Sequence, residues 1–227
     1  MKFIFKKINN FLKKSSRNYS FTLRAYQYLR AFRLLFNSSF RSLYLNTKKG
    51  DICIDMGANI GDASLIFWLR GAKAIYSIEP HPIAYKELSK NLKGIKNIRL
   101  YNIAISNKVG LEKLYLHQDV LSNKYDDDKL LKYSQSSSLL NNKENLGEVF
   151  FEIKTTTMEK FLNDQKIIPT IIKCDIEGAE YQIYNEFVKL ARSYKLRKLL
   201  IECHAKKYKN FESQHNMFLK KIKDENL

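Results

Sequence analysis

A chain of 227 residues with 44% hydrophobic content is long enough to bury one sizeable core without disulfide or metal staples. Its formal net charge of +17 is uneven, since residues 1–50 hold 12 Lys and Arg and no Asp or Glu, which leaves the remainder only mildly basic. No apolar run approaches the roughly 18 to 20 residues of a bilayer span, and the N-terminus lacks the apolar core of a secretory signal, so neither is expected.

Residues 1–49 read as a basic helical segment. Phe3, Ile4, Phe5, Ile8, Phe11 and Leu12 interleave with Lys6, Lys7, Lys13 and Lys14, and residues 21–45 mix aromatic and aliphatic side chains with Arg24, Arg30, Arg33 and Arg41. Such amphipathic helices either pack on the following domain, attach to anionic lipid or a lipid-linked substrate, or serve as a nucleic-acid arm or targeting peptide.

From residue 50 to 227 strand and helix signals alternate. A strand at 51–56 is followed by a helix at 60–70, a strand at 74–78, a helix at 82–92 and a strand at 98–101. This βαβαβ order implies a single α/β domain with a doubly wound, Rossmann-like, mostly parallel sheet and right-handed crossovers. Shorter strands at 112–116 and 149–154 flank a polar loop with Asp126, Asp127, Asp128 and the serines 136–138, expected to be a lid or partly disordered. The aspartates match no calcium-loop spacing, and no metal is expected. A strand at 170–174, a helix at 179–191, a strand at 199–203 and a helix at 210–222 complete the order. Cys53, Cys174 and Cys203 lie in strands without a CxxC pair, which suits reduced core thiols and a cytoplasmic protein, peripheral to a membrane if the basic segment binds lipid.

Two motifs carry chemistry. DMGANIG at 55–61 sits where the first strand meets a helix, a turn that delivers ligands to the carboxyl edge of the sheet. Gly57 and Gly61 permit positive φ and close approach of a ligand. Glu79 follows the second strand 22 residues after Gly57, near the roughly 20-residue interval at which an acidic side chain meets ribose hydroxyls. A pyrophosphate would call for three glycines and would be poorly served by Asp55, whereas the cationic sulfonium and amino group of S-adenosylmethionine would be well served. The second motif, IIKCDIEGAE at 171–180, brings Asp175 and Glu177 to the same edge, either as groups that orient or deprotonate a nucleophile or as favourable charges at a helix start. Lys173, inside an apolar strand, should pair with one of these carboxylates.

These residues resemble the FkbM family of methyltransferases over residues 50–204. The resemblance rests on DMGANIG at 55–61, IEP at 78–80, NIAIS at 102–106, SSSLL at 136–140, TTTMEKFL at 155–162, KCDIEGAE at 173–180 and IECH at 201–204. It implies S-adenosylmethionine as cofactor and O-methylation of hydroxyls on a sugar, glycan or glycolipid. Asp55, Gly57, Asn59 and Gly61 would then hold the methionine part, Glu79 the ribose, and Asn102 and Ala104 the adenine neighbourhood. Asp175, Glu177 and His204 would face the acceptor, with Asp175 the first choice for base or orienter, His204 the second, and Lys173 alongside. The other histidines, His81, His117 and His215, are expected to be structural or exposed. Met158-Glu159 departs from the Leu-Asp that family members carry. The chain stops at Leu227, where similar proteins continue into a closing pair of antiparallel strands, so the sheet edge at the fifth strand is a candidate homodimer surface. A nucleic-acid methyltransferase and a membrane-surface protein with a vestigial nucleotide pocket are the rival readings.

Overall fold

The computed structural model describes residues 19–118, 130–132, 134–139, 146–177, 179–193, 196–203 and 212–224. Residues 1–18, the acidic stretch 126–128, Gly178 and His204 lie outside them, and so do the expectations for His204 and for the first part of the basic segment.

Two helices open the described chain, α1 (Tyr19–Leu34) and α2 (Ser38–Asn46), the second capped by Asn37, whose side chain accepts from the Ser39 N–H. Five short strands then form one sheet: β1 (Ile52–Met56), β2 (Ala74–Ile78), β3 (Ile98–Tyr101), β7 (Ile171–Cys174) and β8 (Lys198–Ile201). Between β3 and β7 lie β4 (Ala104–Ile105), β5 (Gly110–His117) and β6 (Leu146–Thr156). The order in space is β3-β2-β1-β7-β8 with every pairing parallel. The chain runs outward from β1 to β3 and then returns to the other side of β1, so the carboxyl ends of β1 and β7 border the switch-point crevice typical of doubly wound sheets. A second sheet, β4-β6-β5, is mostly antiparallel.

Strand periodicity decides which helix covers which face. Ile54, Met56, Tyr76, Ile78, Ile172 and Cys174 point to one face and pack with Met158, Phe161 and Leu162 of α5 (Met158–Gln165) and with Phe187 and Leu190 of α6 (Tyr184–Ser193). Cys53, Ile75 and Ile171 point to the other, against Leu43 of α2 and Ala63, Ile66 and Phe67 of α3 (Asp62–Leu69). On that side Leu65 of α3 also meets Ala31 of α1 and Leu88 of α4 (Pro82–Asn91). Full burial of Phe67 and Phe187 removes two large rings from water and contributes on the order of 3 kcal/mol each.

The N-terminal helices are tied down by polar anchors as well as by packing. The Gln27 amide donates to the carbonyls of Asn91 and Lys93, Arg24 donates to the Gly94 carbonyl at 2.7 Å, and Arg30 pairs with Asp62 at the start of α3. Among the described residues no helix is long and apolar enough to cross a membrane. The sequence predicts a helix from residue 179, but a 3-10 turn (Ala179–Tyr181) intervenes and α6 begins at Tyr184. Glu177 sits at φ 57°, in the left-handed region, and the Glu180 side chain accepts from the Ile176 N–H, so the chain leaves β7 through an irregular turn. The last described helix is α7 (Glu212–Asp224).

Candidate active site

Asp55 is the fourth residue of β1, not part of the loop beyond it, and its in-register neighbours are Ser77 on β2 and Lys173 on β7. Side by side in parallel strands, the three project from the same face as Cys53, toward α3. There the Asp55 carboxylate is fully buried and accepts from the Ser64 hydroxyl at 2.6 Å, while Ser64 and Ser77 share a 2.7 Å hydrogen bond. The Lys173 ammonium lies 3.6 Å from Asp55, 3.1 Å from Asp175 and 3.2 Å from the Gly57 carbonyl. Burial pushes the Asp55 carboxyl up, against the opposing pull of Lys173 and Ser64. Burial also pulls Lys173 down, but Asp55 and Asp175 together outweigh it and hold the ammonium charged.

The loop after β1 is shaped by positive φ at Gly57 (71°), Asn59 (47°) and Gly61 (95°). A Cβ at residue 57 would overlap the carbonyl oxygen of Asp175, so only glycine lets the β1 loop cross the end of β7 this closely. Gly61 caps α3. Glu79, at the end of β2, reaches under this loop: one carboxylate oxygen accepts from the Asn59 N–H at 2.7 Å and the other from the His81 N–H at 2.8 Å. Burial pushes its carboxyl up to about 7 despite both bonds. His81 caps α4 through Nδ1, which accepts from the Ala84 N–H, and burial lowers its pKa to about 4, so the ring is neutral at physiological pH.

A cavity of about 380 Å³ opens at this edge. Gly57 and Asn59 form one wall, Glu79, Pro80 and His81 a second, and Ala104, Ile105 and Leu114 of the smaller sheet an apolar third. Ser134, Ser136, Ser137 and Leu139 close over it from the polar loop, anchored by Asn59 donating to the Ser134 hydroxyl at 2.9 Å and by Ser138 donating to the Glu177 carbonyl at 2.8 Å. Asp175, Ile176, Glu177 and Glu202 complete the lining, which contains four carboxylates and, among the described residues, no Lys or Arg. A negatively lined, partly apolar cavity of this size suits a cationic nucleoside and disfavours a pyrophosphate. Among the described residues no group of three or more His, Cys, Asp and Glu is arranged to hold a metal ion.

Of the residues singled out from sequence, Gly57, Asn59, Glu79, Ala104, Asp175 and Glu177 line this cavity. Asp55 does not: because it is still within the pleated strand it faces α3, and its charge acts at the edge through Lys173. Asn102 is likewise off the cavity, its amide donating to the carbonyls of Glu79 and Pro80 and so fixing the turn that aims Glu79. Sequence reasoning passes over Ser64, Ser77 and the cavity-lining role of His81, none of which stands out until the strands are in register. Glu202 lies in the IECH motif, yet its place on the cavity follows only from β8 running alongside β7. His215, expected to be structural or exposed, meets the Tyr181 hydroxyl at 2.9 Å.

No curated protein sequence matches the chain significantly. Among solved structures it is similar to methyltransferase FkbM from Methylobacillus flagellatus, at 13% identity and TM-score 0.46 over 95% of this chain and 51% of that one. It is also similar to a candidate RNA methyltransferase from Pyrococcus horikoshii, at 28% identity and TM-score 0.26 over 31% of this chain and 35% of that one. A third is PRMT6-SAH, at 11% identity and TM-score 0.39 over 75% and 44%. The chain thus spans about half the length of the first and less than half of the other two. The profile of the Methyltransferase FkbM domain matches residues 55–225, which is most of the chain, from the end of β1 through α7, and the chain belongs to the FkbM methyltransferase family.

Proposed function

We propose that the chain is an S-adenosylmethionine-dependent O-methyltransferase acting on a hydroxyl of a sugar, glycan or glycolipid. The observation that carries the donor assignment is the cavity's lining: Glu79, Asp175, Glu177 and Glu202 with no Lys or Arg among its described residues. Glu79 would hold the ribose, since each of its oxygens accepts one backbone N–H and keeps acceptor capacity for a ribose hydroxyl. Gly57 and Asn59 would border the methionine part, and Ala104, Ile105 and Leu114 offer an apolar surface to the adenine. When bound, S-adenosylmethionine supplies an electrophilic methyl group on a cationic sulfur, and the electron pair of the broken carbon–sulfur bond stays on that sulfur.

The residues of this chain then have three tasks. Asp175, held by the Lys173 ammonium, orients the acceptor hydroxyl and takes its proton as the new carbon–oxygen bond forms. General base action of this kind contributes about 10² to 10⁴ in rate. Holding both reactants at attack distance contributes more, up to about 7 to 11 kcal/mol, and falls to the Gly57 loop and to the serine segment closing over the cavity. Lys173 also neutralises the buried Asp55, which keeps the β1 and β7 tips at a fixed spacing. A cytoplasmic setting is supported by three free cysteines, and attachment of the basic segment to anionic lipid by exposed Phe32, Phe36 and Leu45 beside Arg33 and Arg41.

Calorimetry with S-adenosylmethionine, followed by transfer of labelled methyl to fractionated glycans, glycolipids and RNA, tests this reading. The expected result is donor binding by the wild type and label in a sugar-containing fraction, reduced at least ~100-fold in Asp175→Asn. Label confined to RNA, or full activity in Asp175→Asn, would overturn the acceptor class or the assigned base respectively.

A further inference from the structure

A second cavity, of about 330 Å³, lies on the opposite side of the β1 loop from the first. It is bounded by Phe40 and Leu43 of α2, by Ala58, Ile60 and Ala63 around the start of α3, and by Lys173, Leu200 and Ile201 at the sheet edge. Four residues line both cavities: Gly57, Asn59, Asp175 and Glu202. The two cavities therefore meet where the Lys173–Asp175 ion pair sits, and the wall opposite that pair comes from the N-terminal helical segment.

We infer that this second cavity is the acceptor subsite, and that α2 is part of the substrate-binding surface. The inference rests on the donor occupying the first cavity. Two reactants that exchange a methyl group must approach each other at one place, and the shared wall at Asp175 is such a place. The lining states the chemistry of the occupant. Its body is apolar, with Phe40, Leu43, Ala58, Ala63, Leu200 and Ile201, and its uncharged and acidic polar groups are the hydroxyls of Ser39 and Ser42, the Asn59 amide, which donates to Ser134, and the carboxylates of Asp62, Asp175 and Glu202. The one cation among the described lining residues, Lys173, is engaged with Asp55, Asp175 and the Gly57 carbonyl. Asp62 is engaged with Arg30 of α1. Carboxylates and hydroxyls accept from alcohol O–H groups, and the carboxylates repel phosphates and other carboxylates. The acceptor is an uncharged, amphipathic alcohol, with a hydroxyl at Asp175 and an apolar part along Phe40 and Leu43. In the transfer its hydroxyl oxygen gains the methyl carbon, and its proton passes to the Asp175 carboxylate.

This assignment explains why the N-terminal helices are fastened to the domain by Gln27, Arg24 and Arg30, since a wall of the site must hold its position to a fraction of an ångström. It also separates the basic charge of the segment from the site, because neither Arg33 nor Arg41 lines the cavity.

The test uses the full chain and Ser42→Trp, which places a large ring at an exposed position on the cavity rim, with Ile168→Ser as a control at an exposed apolar position outside it. Octyl β-glucoside is titrated by calorimetry in the presence of S-adenosylhomocysteine, with glucose 6-phosphate and a short RNA as anionic comparators. Thermal melting checks that each variant is folded. The expected result is octyl glucoside binding by wild type and Ile168→Ser, at least tenfold weaker in Ser42→Trp, with S-adenosylhomocysteine affinity unchanged within twofold in all three. Equal weakening of S-adenosylhomocysteine would assign the second cavity to the donor and overturn the inference. So would unchanged octyl glucoside binding in Ser42→Trp, no octyl glucoside binding by wild type, or preference for the anionic comparators. Failure of the wild type to bind S-adenosylhomocysteine is a separate result, which would refute the donor assignment itself.

Discussion

Binding of the donor should release a proton from Glu79, and the amount follows from its surroundings. In the free protein burial holds the Glu79 carboxyl at about 7, so at pH 6.5 about three quarters of the molecules carry a proton there. With the Asn59 and His81 N–H groups already on its oxygens, two ribose hydroxyls would bring its hydrogen bonds to four, all of which favour the ionised form. Binding at pH 6.5 should therefore release roughly 0.7 proton, and affinity should fall about tenfold between pH 8 and pH 6 as the free site protonates. The assay is calorimetry of S-adenosylhomocysteine in buffers of different ionisation enthalpy, comparing wild type with Glu79→Gln, so that protons from the ligand cancel. The substitution should abolish the proton release that comes from Glu79 and weaken binding by about 1.5 to 3 kcal/mol, the range for hydrogen bonds to a charged group. Equal proton release by the two proteins would refute the contact between Glu79 and the ribose.

Three further outcomes follow from the same geometry. Glu79 and His81 should oppose each other in stability: a carboxyl raised from 4.5 to about 7 loses stability as pH climbs through that window, and a histidine lowered from 6.5 to about 4 loses it as pH falls through its own. Each shift corresponds to about 3 kcal/mol, so between about pH 4.5 and 6.5 the melting temperature measured relative to wild type should fall toward acid in Glu79→Gln and toward neutral pH in His81→Asn. Lys173→Met should cost about 3 to 5 kcal/mol in urea unfolding by leaving Asp55 buried without its cation, and adding Asp55→Leu should recover part of that loss. Gly57→Ala forces a Cβ into the Asp175 carbonyl and should abolish donor binding by calorimetry, whether or not the rest of the fold survives by circular dichroism.

The parallel core was legible because its strands are short, apolar and bounded by breakers. Strands β2 and β3 fall on the residues that periodicity assigns them, and Gly57 and Gly61 take the positive φ that their spacing implies. Less legible was anything that depends on register. Asp55 falls inside the strand that the sequence assigns to 51–56, and its expected contact with the methionine part depends on which way the pleat turns it, which is toward Ser64 on α3. The pairing of Lys173 with a carboxylate follows from the cost of a buried charge, but its link to Asp55 rests on β7 lying directly beside β1. The late start of α6 comes from a left-handed turn at Glu177, a residue type with no sequence signal for that conformation. The second cavity was invisible, because α2 and β8 are about 150 residues apart in the chain and meet only through the fold.

The most direct measurement is a crystal structure of the chain grown with S-adenosylhomocysteine. Its ribose hydroxyls should lie within hydrogen-bond distance of Glu79 and its sulfur on the side of the cavity facing Asp175. A nucleoside seated in the second cavity, or protein that crystallises without ligand at saturating concentration, would contradict the assignment of the donor site.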